Sequence, residues 1–292
     1  MLELILFMLP PLVACLAIVA IHAYLGIHVL QREIIFVDLA LAQIAALGTT
    51  VGLLLGIHAE DNASVLFSFG FVLLGAAIFA MTRMRRQIIP QEAMIGIVYA
   101  IATGAAILVA DQSPGGAEHI KEILTGTLLW ITWPEIWKIL AVYAVVAAFH
   151  WALRRKFILI SENYEHAVAE QGWLVKFWDF LFYISFGVVI VLSVRVAGIM
   201  LVFSFLVVPA AISMLFSQRW RTKMLIGWCV GTIASLAGLY TSYRLDFPSG
   251  PTIVCYLGLL LILAWPLRAL LRRPVHKVKT IAAPHEAEIG GA

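Results

Sequence analysis

Residues 36–48, FVDLALAQIAALG, form an apolar stretch rich in Ala and Leu that nevertheless holds Asp38 and Gln43. An acid in hydrocarbon is costly and commonly marks an ion path or proton relay. An amide there commonly bonds across to another helix. A carboxylate oxygen is a good ligand for a hard divalent cation, and an amide carbonyl is a poor substitute for imidazole on zinc. Five helical steps of about 100° set the two side chains roughly 140° apart. A regular helix therefore does not aim both at one ion. Three readings compete for Asp38: it lines a translocation path, it pairs with Arg32 or caps the helix start near one interface, or it serves a site on another helix. For Gln43, an interhelical hydrogen bond competes with a direct role in transport. His22 is the third candidate, an imidazole in mid-segment that is either a hydrogen-bonded packing group or a metal ligand.

The elements that position these groups follow from composition. Of 292 residues, 62% are hydrophobic and 13% charged, with a mean hydropathy of +0.97. A soluble domain carries about 25% charged residues, so the chain reads as an all-α membrane protein. A spanning helix needs about 20 apolar residues, and nine such segments are expected: 4–29, 36–57, 64–82, 93–110, 134–153, 174–193, 197–216, 223–241 and 251–271. Pro209, lacking an N–H, is expected to kink the seventh. Residues 1–273 are thus expected to form one transmembrane domain. The polar tail 274–292 is expected to be cytoplasmic and disordered. The start, MLELILFMLPP, has no basic n-region and reads as the beginning of a retained span.

Orientation comes from Lys and Arg, which accumulate on the cytoplasmic side. With the N-terminus outside and the C-terminus inside, all 20 basic residues except Lys121, Lys138, Arg195 and Arg244 fall inside. The outer loops are acidic, and His58, Glu60, Asp61, Glu118 and His119 there are candidate cation collectors. Trp130, Trp133 and Trp137 have the look of an interfacial belt, preceded by a short surface helix at 118–129. His28 and His150 sit near inner ends of spans, where a polar tip reaches the interface. Asp179 lies one turn inside the sixth segment and needs a partner. The inner loop 154–172 is polar enough for the cytosol and reads as a docking element or a plain connector. Cys15, Cys229 and Cys255 are too far apart for a metal knuckle and read as buried thiols. The G-x-x-x-x-G-K-[ST] phosphate loop, the nucleophile elbow and H-E-x-x-H are all missing. Any ATP used must be hydrolysed by another chain, and the protein is not expected to be an enzyme. Its basic residues signal topology, with lipid as neighbour and no nucleic acid.

Four stretches, taken in order, resemble one family: GIHVLQREIIFVDLALAQIAALG (26–48), EAMIGIVYAIATGAAIL (92–108), VRVAGIMLVFSFLVVPAAISMLFS (194–217) and YRLDFPSGPTIV (243–254). They resemble the ABC-3 membrane permeases of zinc, manganese and iron ABC importers. The resemblance implies a permease paired with a second copy of itself in a bacterial inner membrane. Two cytosolic ABC ATPase subunits and an extracytoplasmic metal-binding protein would complete the importer. It implies a divalent metal ion as transported substrate, zinc or manganese, and no permanently bound cofactor. Glu165, His166, Ala167 and Gly172 resemble the family's ATPase-contacting loop, with the Ala-to-Gly spacing one residue longer. Glu92 matches an acidic position of the family. Family members carry Asp-x-x-x-His in the second span, with Gly five residues after the His. Anchored on Gly48, the His position is Gln43 and the Asp position is Leu39, so Asp38 is displaced by one. That departure keeps open a permease for an iron-chelate cargo, and a stand-alone ion-coupled carrier.

Overall fold

The computed structural model describes residues 2–57, 61–83, 88–113 and 124–271. Among them every regular element is helical. The long helices are α1 (Leu2–Gln31), α2 (Val37–Leu54), α3 (Asn62–Thr82), α4 (Gln91–Asp111), α5 (Trp133–Ala152), α8 (Leu174–Phe216), α9 (Trp220–Leu245) and α10 (Ser249–Leu271). Two short helices, α6 (Arg154–Glu162) and α7 (Tyr164–Gln171), join α5 to α8. Among the described residues, eight helices are long and apolar enough to cross a membrane. In hydrocarbon a helix satisfies its own backbone groups, which is why apolar segments of this length adopt it.

One of the eight is two legs. α8 has 43 residues, about 64 Å if straight, roughly twice the ~30 Å hydrocarbon core. It is not straight: Gly198 has φ 76° and ψ 159°, the one non-helical conformation inside it. Near its start, Asp179 pairs with Arg32, just past the end of α1, and Lys176 Nζ donates to the Met81 carbonyl at the end of α3. Just beyond its other end, the Trp220 ring lies 4.7 Å from that of His28, also at the end of α1. Both ends therefore return to the same side. The reversal packs on the opposite side, where the Thr127 N–H donates to the Val196 carbonyl. A Cβ on Gly198 would stand 2.6 Å from the Gly126 nitrogen, so two glycines with positive φ meet there backbone to backbone. The expected segments 174–193 and 197–216 are these two legs. Pro209 lies inside the second leg, where the backbone keeps helical dihedral angles.

The centre of the bundle is α1 with both legs of α8. α1 buries 72% of its apolar window, whereas α10, at the rim, buries 17%. Close approach is made by small residues: a Cβ on Gly26 would lie 2.0 Å from the Leu206 carbonyl oxygen, so α1 touches the second leg of α8 directly. α2 packs on α3, α4 and α8, and α8 separates it from α1. Of the cysteines expected to be buried, Cys15 is, while Cys229 and Cys255 are exposed at the rim.

Candidate functional site

Asp38 is 2% exposed and occupies the first turn of α2. The first N–H groups of a helix lack intrahelical partners, and the Asp38 carboxylate accepts from the Leu39 N–H at 2.8 Å. It has no ion pair with Arg32, which binds Asp179 instead. Glu92 comes to the same place from the start of α4, its Oε1 accepting from the Phe36 N–H at 3.0 Å. Two carboxylates thus sit at neighbouring helix starts, each facing a positive dipole end. Gln43 is half-buried further along α2. His22 is fully buried, with Nδ1 2.9 Å from the Ile18 carbonyl and its ring beside Tyr143 of α5. Its Nε2 is buried without a hydrogen bond. The structure brings Asp38 to Glu92. It does not bring His22 to either candidate on α2, because α8 stands between.

The end of the bundle marked by Arg32 holds a charge cluster that sequence reasoning only half anticipated. Asp179 is fully buried and accepts from Arg32 Nη1 at 2.8 Å and from Arg83 Nη1 at 2.9 Å. Two guanidiniums on one carboxylate leave a net positive charge under cover. Burial pushes the Arg32 pKa down to about 10, opposed by Asp179, so it stays charged at neutral pH. Arg32 Nε also donates to Ser161 Oγ on α6. His28 Nδ1 lies 2.8 Å from that same hydroxyl, so His28, expected at the interface, is instead buried beneath α6. His150 is buried too, with Nε2 2.7 Å from Ser185 Oγ. From α7, the Tyr164 ring stacks under Arg83 at 3.9 Å. The cluster therefore ties α1, α3 and α8 to both short helices.

Those helices contain the loop candidates. Asn163 caps α7 by accepting from the His166 N–H at 3.0 Å, a common helix start. Glu165 and His166 are exposed on its first turn, while Ala167 is fully buried against α6 and α8. Gly172 ends α7 at φ 58° and ψ −133°, a backbone that side chains disfavour. This gives an exposed polar face on a seated helix. At the opposite end, Asp61 precedes α3, and its carbonyl accepts from the Ser64 N–H. His58, Glu60, Glu118 and His119 lie outside the described residues, as does the tail 274–292. Only 124–129 of the expected surface helix 118–129 is described. It ends in a short 3-10 turn, Leu128–Trp130, after which the Glu135 carboxylate accepts from the Thr132 N–H at the start of α5. Trp130, Trp133 and Trp137 are all exposed there.

Comparison with known proteins decides the family. A model of the ABC 3 transport family matches residues 5–267. The chain belongs to that family. This ABC 3 member is 26% identical over 261 residues to a Chlamydia pneumoniae protein named "Probable metal transport system membrane protein", covering 87% of this chain and 86% of that one. It is 25% identical over 251 residues to the manganese import system permease protein ScaB of Streptococcus parasanguinis, covering 85% and 86%. Its fold matches a chain of PsaBC from Streptococcus pneumoniae, solved in complex with Fab, with a TM-score of 0.72 and 19% identity. That match covers 89% of this chain and 91% of the other.

Proposed function

We propose that the chain is the membrane permease of an ATP-binding-cassette importer for a divalent metal ion, zinc or manganese. It works as a homodimer in a bacterial inner membrane, with the ion crossing between the two copies. ATP is hydrolysed by cytosolic partner subunits, and an extracytoplasmic binding protein delivers the ion. The observation that carries this reading is the unbroken family match over 5–267, joined to relatives named for metal and manganese transport. The Arg32 end faces the cytosol, because Arg83, Arg154, Arg155, Lys156 and Arg219 gather there with α6 and α7. In this reading α7 docks on the ATPase, with Glu165 and His166 on the contacting face. Its motion passes through Tyr164 and Ser161 to the Arg32–Asp179–Arg83 cluster, and so to three spans at once.

A second reading, an iron-chelate cargo, is favoured by one observation: Asp38 lies in the first turn of α2, away from Gln43, and the two do not form a ligand pair. A stand-alone carrier finds less support, since it leaves the exposed face of α7 without a purpose.

The test is co-purification of the tagged chain with its ATPase. Ala167→Arg forces a charge into the seat of α7. Glu165→Ala with His166→Ala strips only its exposed face. Both variants are expected to lose most of the bound ATPase while the permease itself still elutes as a single species. Retention of the ATPase by both would contradict the assignment of α7.

A further inference from the structure

A groove of about 560 Å³ runs between α1, α5 and α9 on the outside of the bundle. Its floor is made of small residues, among them Ala17, Ala20, Ala144 and Ala147. Its length is informative. It begins at Ala17 and Leu140, in the middle of their spans, and ends at Arg154 and Arg221 at the basic end. It covers one half of the bilayer and stops there. Its volume is in the range of a small-molecule site. A second copy's spanning helix would instead run the whole thickness.

The mouth has a definite chemistry. Trp151 is 58% exposed there, and the Arg154 guanidinium lies 4.8 Å over its ring while donating to the Trp151 carbonyl. Arg221 is exposed on the facing helix, next to Trp220. Among the described residues neither arginine forms a salt bridge with a carboxylate. On the far side, Trp228 Nε1 donates to the Ala20 carbonyl at 3.0 Å, closing the groove wall against α1. A smaller hollow of about 240 Å³ between α1 and α9 at the opposite end is lined by Leu9, Leu12, Leu236, Tyr240 and neighbours, and has no basic residue. Of the two hollows, only the larger has arginines in its lining.

The geometry points to a binding site for one anionic phospholipid of the cytoplasmic leaflet. An acyl chain lies on the alanine floor, and the phosphate sits between Arg154 and Arg221 at the level of the tryptophans. An apolar slot with a two-arginine mouth matches a molecule that is apolar for half the bilayer and anionic at its end. Because the slot touches α1, α5, α6 and α9, the lipid braces α5, which otherwise has limited packing, against the centre of the bundle.

The test is native mass spectrometry of the full-length chain released from nanodiscs of phosphatidylethanolamine and phosphatidylglycerol. The wild-type chain is expected to retain one phosphatidylglycerol in preference to phosphatidylethanolamine. Arg154→Ala with Arg221→Ala is expected to weaken that retention roughly thirtyfold, about fivefold for each lost cation. Ala144→Trp keeps both arginines and fills the floor. It is expected to expel the lipid equally, so the result survives if the double variant folds poorly. Equal retention of phosphatidylglycerol by wild type and both variants overturns the site. So does equal retention of the two lipids by wild type. Cross-linking of two chains through Ala144→Cys in membranes would assign the groove to a second copy and overturn it as well.

Discussion

Asp179 is the side chain on which most depends at this end of the molecule. A buried carboxylate between two arginines is not by itself a large source of stability, but removing it leaves two charges without compensation. Asp179→Asn is expected to destabilise the protein by about 3–5 kcal/mol, read as a lowered midpoint in a detergent thermal melt. Asp179→Glu, which keeps the charge, is expected to lose much less. Equal losses would mean that packing and not charge is at stake. Asp38 gives a contrasting expectation. Its carboxylate serves a helix start, so Asp38→Asn, which preserves an acceptor, is expected to cost under ~1 kcal/mol, measured in the same melt. That Asp179 needs a partner was legible from its depth in an apolar segment. Which partner was not, because Arg32 and Arg83 lie 147 and 96 residues away in the chain. The same limit explains His28. Its depth near a span end suggested contact with the interface, and only the fold reveals that Ser161, 133 residues on, covers it.

At the scale of elements, the decisive feature is the reversal at Gly198. The basic residues near 176 and 219 require an even number of crossings between them, which divides the apolar run in two with a break near 194–196. The structure makes that break without a polar loop, by one glycine in a conformation almost closed to other residues. Gly198→Ala is expected to cost ~1–3 kcal/mol from the backbone alone, with a further cost from the contact with Gly126. The expected outcome is a lower yield of folded protein in membranes, measured by fluorescence-detected gel filtration of a fusion. Gly258→Ala, on α10 with open space around it, is the comparison and is expected to fold normally. A proline in a buried helix is tolerated when neighbouring elements pack against it, and Pro209 lies on the leg of α8 that packs directly on α1 at Gly26 and Leu206. The short helices α6 and α7 were legible as a polar, helix-prone insertion. Their seating on the charge cluster was not, since it depends on three distant spans meeting at one point.

For the molecule as a whole, the distribution of charge, aromatic rings and apolar length gives one consistent placement in a bilayer. Arginines, α6 and α7 mark one face, and exposed tryptophans near the start of α5 mark the other. The family match extends over nearly all of that architecture, while Leu39 and Gln43 stand where the resemblance in the second span implies an Asp and a His. The central claim is ATP-dependent uptake of a divalent metal. It is tested most directly by counting Zn, Mn and Fe by mass spectrometry in cells that express this chain with its ATPase and binding protein. One metal, zinc or manganese, is predicted to accumulate several-fold and to fall to background when the ATPase carries a disabled phosphate-binding lysine. Accumulation that persists with the disabled ATPase, or none at all from an assembled complex, would contradict ATP-driven import of a free metal ion by this permease.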